Sequence, residues 1–291
     1  TPPKDYKYHG YYKILLNTEE KHKILESLIN AQTILEADKT FSAQDKHNLA
    51  GHIRGWTRCI NEKPETYKEY LARHTCYDLT DISLEDFQDF LFNHPIPNKD
   101  IGEEHWYWDF DLLIDYNEEQ IANSYIELFE KADALLNKYS LEQLEQGLWA
   151  IPSENLDCSV YNLIWNSSLD LNTKDRLIQS MYHLYEKLFN VQKLETSCDM
   201  WWDSLAYSYC VDDLRDPENN ETDRVIQDSM FDVLCLILNL SSEGCRYAAL
   251  HGLGHLRHRN TETAIRNFLD KNKCSDAMIE YAESAIQGDI L

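Results

Sequence analysis

The chain has 291 residues, 43% of them hydrophobic, enough to bury a substantial core in one large domain or two ordinary ones. Its 9 Gly and 7 Pro are too few for the turns of sandwiches, barrels and glycine-rich phosphate loops, while its plentiful Leu, Glu, Lys, Gln and Ala favour helix. Its 51 acidic and 27 basic residues give a formal net charge of −24, which repels phosphate backbones and anionic membranes and suits a basic protein partner.

Apolar residues recur mainly at helical spacing. Thr18 is placed to cap a first helix with Ile24, Leu25, Leu28, Ile29 and Leu35 on its inner face. Ser42 caps a second helix running toward Ile60, and Pro64 sits near the start of a short third, where its missing N–H does no harm. Ser83-Leu-Glu-Asp repeats the capping pattern, and His94–Asp100 reads as a loop. A long helix is expected from about Asn117 to Tyr139, using Ile121, Tyr125, Leu128, Phe129 and Leu136. Beyond the break at Pro152, helices are expected near Val160–Ser167, Thr173–Asn190 and Asp199–Tyr209. Arg215–Glu221 is a solvated loop, and Asp223–Leu240 is a strongly apolar, central helix. Thr261–Leu269 and Ser275–Ile286 close the chain. No strand pair is expected. The fold class is all-α, built of antiparallel helical hairpins with an α-solenoid character at the C-terminus. A weak boundary near Ile151–Asp157 divides an N-terminal helical region (1–151) from a C-terminal one (152–291), unless one stack runs through both.

The segment Cys245-Arg-Tyr-Ala-Ala-Leu-His-Gly-Leu-Gly-His-Leu256 has an Arg, an Ala-Ala-Leu core and a Leu-Gly-x-Leu type of ending. It resembles the second half-repeat of HEAT-like proteins of the phycobilisome-lyase type, over roughly Asp223–Leu291. Its wording also looks like that of a group of uncharacterised bacterial proteins. The resemblance implies stacked helical hairpins, in which Ala248, Ala249 and Gly252 let axes approach closely, and it implies no activity. Some HEAT-like hydroxylases hold a di-iron site through repeated His-Glu pairs. No His-Glu dipeptide occurs in this region, so that activity is not implied.

His251, His255 and His258 stand at i, i+4 and i+7, one helix face. His-x-x-x-His can bind zinc, but a zincin needs Glu after the first His, and Gly252 occupies that place with no carboxylate in register nearby. Structural histidines, no metal and no cofactor are therefore expected. Neither a Gly-x-Ser-x-Gly elbow nor a Gly-x-x-x-x-Gly-Lys loop occurs, and no catalytic nucleophile is assigned. The eight cysteines form no CxxC pair and read as reduced thiols of a cytoplasmic chain. No transmembrane span is present, and the opening Thr1-Pro-Pro-Lys lacks the apolar core of a signal peptide.

Two segments interleave acids with aromatics. Asp100–Glu119 carries eight acidic residues and no Lys or Arg, with Glu103, Glu104, Asp109 and Asp111 around Trp106, Tyr107, Trp108 and Phe110. Asp199–Asp213 carries Asp199, Asp203, Asp212 and Asp213 around Trp201 and Trp202. Carboxylates beside large aromatics suit Lys and Arg side chains of a basic partner. The competing readings are an inward aromatic cluster with solvated acids, and a carboxylate pair for hydrolysis. The expected function is an acidic binding protein for a basic protein, such as a bacterial immunity protein that neutralises a nuclease-type toxin. Its alternatives are a general helical adaptor and a hydrolase using acids near 103–115.

Overall fold

The computed structural model describes residues 18–37, 75–98, 103–108, 112–192, 194–211 and 214–290. The chain is mostly helical, as its composition requires. Internal contacts separate residues 1–74 from residues 75–291. In the first unit the described element is α1 (Thr18–Ala37). Ile24, Leu25 and Leu28 are half-buried there, but Ile29 is 62% exposed, so the expected inner face is only partly covered. The helices expected at Ser42–Ile60 and after Pro64 lie outside the described residues.

The second unit opens with a pair of strands that helical periodicity does not reveal. β1 (Thr75–Asp78) pairs in parallel with β2 (Leu112–Asp115), Thr75 opposite Leu112 and Asp78 opposite Asp115. Each strand has four residues and ends in Asp, too short and too polar to stand out by alternation. A parallel pair needs a crossover, and α2 (Leu84–Phe92) lies within it. Ser83 caps α2 as the sequence predicts, accepting from the Asp86 N–H.

The expected long helix from Asn117 stops early. α3 (Glu118–Glu130) is capped by Asn117 and gives way to a 3₁₀ segment, Ala132–Asn137. α4 (Leu141–Ala150) begins in a capping box of Ser140 and Gln143. Its Gly147 lies so close to α2 that a Cβ there would overlap the Phe92 ring and come within 2.8 Å of the Leu91 carbonyl. After the Pro152 turn come α5 (Val160–Trp165), α6 (Leu171–Leu184) with a π turn at Tyr185–Phe189, and α7 (Glu195–Ala206). α8 (Glu221–Ile237), α9 (Glu243–Leu256), α10 (Thr261–Lys271) and α11 (Asp276–Gln287) follow. Residues 151–157 lie inside this second unit, with α3 packed on α6 and α4 on α7 across them.

The core is continuous from Leu79 to Ala285. α9 is its hub: it packs against α7, α8, α10 and α11, and every residue from Ala248 to Leu256 is buried. Two glycines permit this. A Cβ on Gly252 would stand 2.6 Å from Leu234 and 2.9 Å from Trp202, and one on Gly254 would stand 2.5 Å from Ile290. The close approach expected at Gly252 is therefore real, and apolar burial of about 25 cal/mol per Å² on all sides holds the hub in place. Arg257 ends α9 in the left-handed region, at φ 48°.

Candidate functional site

The hub determines where polar chemistry collects. α7 has no side-chain cap of its own; Glu145 of α4 supplies one, accepting from the Ser197 N–H at 2.8 Å and from its hydroxyl at 3.0 Å. A carboxylate at this end also suits the helix dipole. α7 so fixed turns Trp201 and Trp202 fully into the core, where Trp201 meets Phe129 and Phe189 edge-on and Trp202 lies by Tyr185. The next residue, Asp203, then faces α9.

There Asp203 Oδ1 lies 3.2 Å from His251 Nε2 and 2.7 Å from His255 Nε2. The two Nε2 atoms are 3.0 Å apart. Both rings are buried, and the Asp203 side chain is 36% exposed. Contact with His251, then with His255, holds the Asp203 carboxyl well below the usual carboxylate range, against the opposing effect of burial. On the far side of each ring, His251 Nδ1 is 2.7 Å from Tyr281 Oη and His255 Nδ1 is 3.5 Å from Cys210 Sγ. These three ligand-type atoms converge as a group able to hold a metal ion.

No carboxylate stands in register with the histidine pair along the sequence, and the fold brings one to it from 48 residues away. The carboxylate comes from another helix, which inspection along α9 does not reach. The fold also separates His258 from the face assigned to it. α9 ends before His258, whose Nδ1 accepts from the Asn260 N–H while Nε2 donates to Asp228 at 2.9 Å and the ring stacks on Phe231. His258 is a satisfied structural histidine.

The first acid–aromatic segment behaves differently. Residues Trp106–Trp108 form one 3₁₀ turn. His105 Nδ1 donates to Gln146 Oε1 at 3.1 Å, and Gln146 Nε2 donates to the Pro95 carbonyl, so α4 anchors the turn to the 93–98 loop. Trp106 is half-buried, stacked on His94 with ring centroids 3.9 Å apart and edge-on to Phe90. Tyr107 is buried. Trp108 is 45% exposed, and Glu103 and Glu104 are exposed beside it in sequence. Glu103 also accepts from the Asn98 N–H at 2.7 Å.

Of the expected contact residues, then, Glu103, Glu104 and Trp108 reach solvent, Trp106 is mainly a packing residue, Asp199 is half-buried, and Asp203 is engaged by the histidines. Asp109, Asp111, Asp212 and Asp213 lie outside the described residues. α4 bears on both segments, through Gln146 to His105 of the first and through Glu145 to Ser197, two residues before the second. Sequence reasoning missed Cys210, Tyr281 and Asp228. Asp203 and Cys210 are seven apart, a same-face spacing that could have linked them to the His251–His255 pair.

Cys158, Cys198, Cys210, Cys235, Cys245 and Cys274 are thiols rather than disulfides. Among the described residues no helix is long and apolar enough to cross a membrane. No family model, curated protein or solved structure matches the chain.

Proposed function

We propose that the chain is an acidic helical binding protein for a basic protein partner. The observation that carries this reading is an exposed Trp108, held by an anchored turn next to Glu103 and Glu104, on a chain of net charge −24. Clustered carboxylates speed and orient the encounter, and a pre-positioned indole supplies a desolvated anchor at little entropic cost. Asp109 and Asp111 follow in sequence and extend the acidic run. The partner class that fits best is a nuclease-type toxin domain, because an enzyme that grips phosphate backbones presents a basic surface. The chain would then act as its immunity protein.

Two finer readings go with this. α8 to α11 are read as HEAT-like hairpins, supported by their short connections and by each helix packing on the next. A cytoplasmic location is supported by the buried thiols at Cys158, Cys198 and Cys245.

The test uses a basic protein recovered on the full chain from its host and then purified. Glu103→Gln with Glu104→Gln should lower the association rate at low salt about threefold to tenfold and flatten its salt dependence. Trp108→Ala should speed dissociation about tenfold or more. An association rate unchanged by the double variant at low salt would place the surface elsewhere.

A further inference from the structure

We propose that His251, His255 and Asp203 form a three-ligand site for a borderline divalent transition-metal ion of the Zn²⁺ class, with a further coordination position toward solvent.

Ligands bonded tetrahedrally to such an ion at about 2.0–2.2 Å stand roughly 3.3–3.6 Å apart. The three inner atoms here are separated by 2.7, 3.0 and 3.2 Å, so the triangle must open, by roughly 0.6 Å or more at its shortest edge, to admit the ion. His251 and His255 are one helical turn apart on the rigid hub, and Asp203 is fixed by the two buried tryptophans before it. The donor set, two imidazoles and one carboxylate, favours Zn²⁺, Co²⁺ or Fe²⁺ over Mg²⁺ or Ca²⁺.

The Cys210 thiol has one hydrogen, and it points to the His255 carbonyl at 3.0 Å, a group that can only accept. The contact between Cys210 Sγ and His255 Nδ1 therefore has Nδ1 as its donor. With its proton on Nδ1, neutral His255 turns an Nε2 lone pair inward. The shortest contact of the cluster, 2.7 Å from that nitrogen to a carboxylate oxygen, then lies between two acceptors. One proton on His251 Nε2 cannot bridge it. A shared cation satisfies all three atoms at once. The outer partners Tyr281 and Cys210 stand where hydrogen-bonding groups orient ligating imidazoles. The competing arrangement is a second proton on His255, giving an imidazolium–carboxylate pair without metal.

Three protein ligands leave an ion short of four, and the exposed flank of Asp203 gives water access to the vacant position. Cys210 faces Nδ1, away from the convergence, and so belongs to the supporting shell.

The experiment is titration of the full, chelator-treated chain with Zn²⁺ alone, with Co²⁺ as a coloured substitute. Expected are one tight equivalent per chain and visible absorption from Co²⁺ bound to nitrogen and oxygen. Asp203→Asn, nearly isosteric and partly exposed, should weaken Zn²⁺ about 100-fold, and Tyr281→Phe about tenfold. His258→Gln should leave stoichiometry and affinity unchanged, which separates the site from diffuse binding to an acidic surface. Circular dichroism melting checks that each variant is folded; His255→Gln, with the same expected loss, stands in should Asp203→Asn fail to fold. No tight equivalent in the wild type, or equal affinity in wild type and a folded site variant, overturns the proposal in favour of the proton-held pair.

Discussion

The segments Asp100–Glu119 and Asp199–Asp213 look alike as sequence, each a mixture of acids and large aromatics, yet the fold uses them in opposite ways. In the second, helical spacing and the cap lent by Glu145 turn Trp201 and Trp202 wholly inward. In the first, a single 3₁₀ turn cannot hide three consecutive aromatics, so Tyr107 is buried, Trp106 half-buried and Trp108 45% exposed. Composition marks both places; the length of the local element decides which becomes core and which becomes surface. Trp201 and Trp202 point in different directions around α7 and are both hidden because α4 and α9 pack on it, while the short turn leaves one of its three aromatics uncovered.

The contrast is sharpest in stability. Trp202→Ala should cost about 3–5 kcal/mol, because a fully buried indole leaves a large cavity between α7 and α9. Trp108→Ala should stay within about 0.5 kcal/mol. Chemical denaturation of the two variants side by side measures this. Equal losses would mean that the turn is as much core as the hub.

The next effect tests the hub from its other side. Gly252→Ala should destabilise by about 1–3 kcal/mol, since the new methyl would meet Leu234 at 2.6 Å and the Trp202 Cβ at 2.9 Å. Gly244, in the first turn of the same helix, has only Ser242 Oγ at 3.7 Å in its way. Gly244→Ala should gain up to about 1 kcal/mol of helix propensity. Thermal melting distinguishes opposite signs within one helix, and a loss at both positions would show that backbone freedom rather than close packing is what α9 requires.

These contrasts also mark what could be read in advance. α10 buries Thr261, Ile265 and Phe268 along one stripe, so its own spacing announces it. α8 was legible in the same way. α9 is buried on all sides from Ala248 to Leu256, so its wording rather than its periodicity announces it. What surrounds His251 and His255 was not legible, because Asp203 lies 48 residues away and Tyr281 lies 30 away from His251. A register argument confined to one helix sees neither. Four residues are too few to alternate convincingly, which hides the strands, and helical periodicity continues through the 3₁₀ segment at Ala132–Asn137, which hides the end of α3. Trp106 and Trp108 could not be told apart, since neighbouring residues in a turn have no periodic face to compare.

The smallest effect concerns how the exposed segment is held. His94 stacks on Trp106, and its Nε2–H donates to the Phe90 carbonyl at 2.6 Å. Burial pushes its pKa below the ordinary histidine value, and the hydrogen bond to Phe90 opposes this only in part. The unfolded chain, with an ordinary value near 6.5, therefore takes up this proton before the folded one does. His94 leaves the fold unaffected above about pH 6.5, and stability falls as pH drops from there toward the lowered folded value. The slope from one such proton is at most about 1.4 kcal/mol per pH unit. His94→Gln keeps a side-chain donor and removes the titration, so its denaturation midpoint should fall less between pH 7.5 and 5.5 than that of the wild type. Because the stacked pair supports the turn that carries Trp108, the same acid shift should loosen this turn ahead of the hub. Trp108 fluorescence, isolated by difference from Trp108→Phe, should begin to change before the global transition. If the wild type and His94→Gln share one pH slope, the stack with Trp106 is too open to water to disfavour the charged ring, and the turn is held by the Gln146 bridge alone.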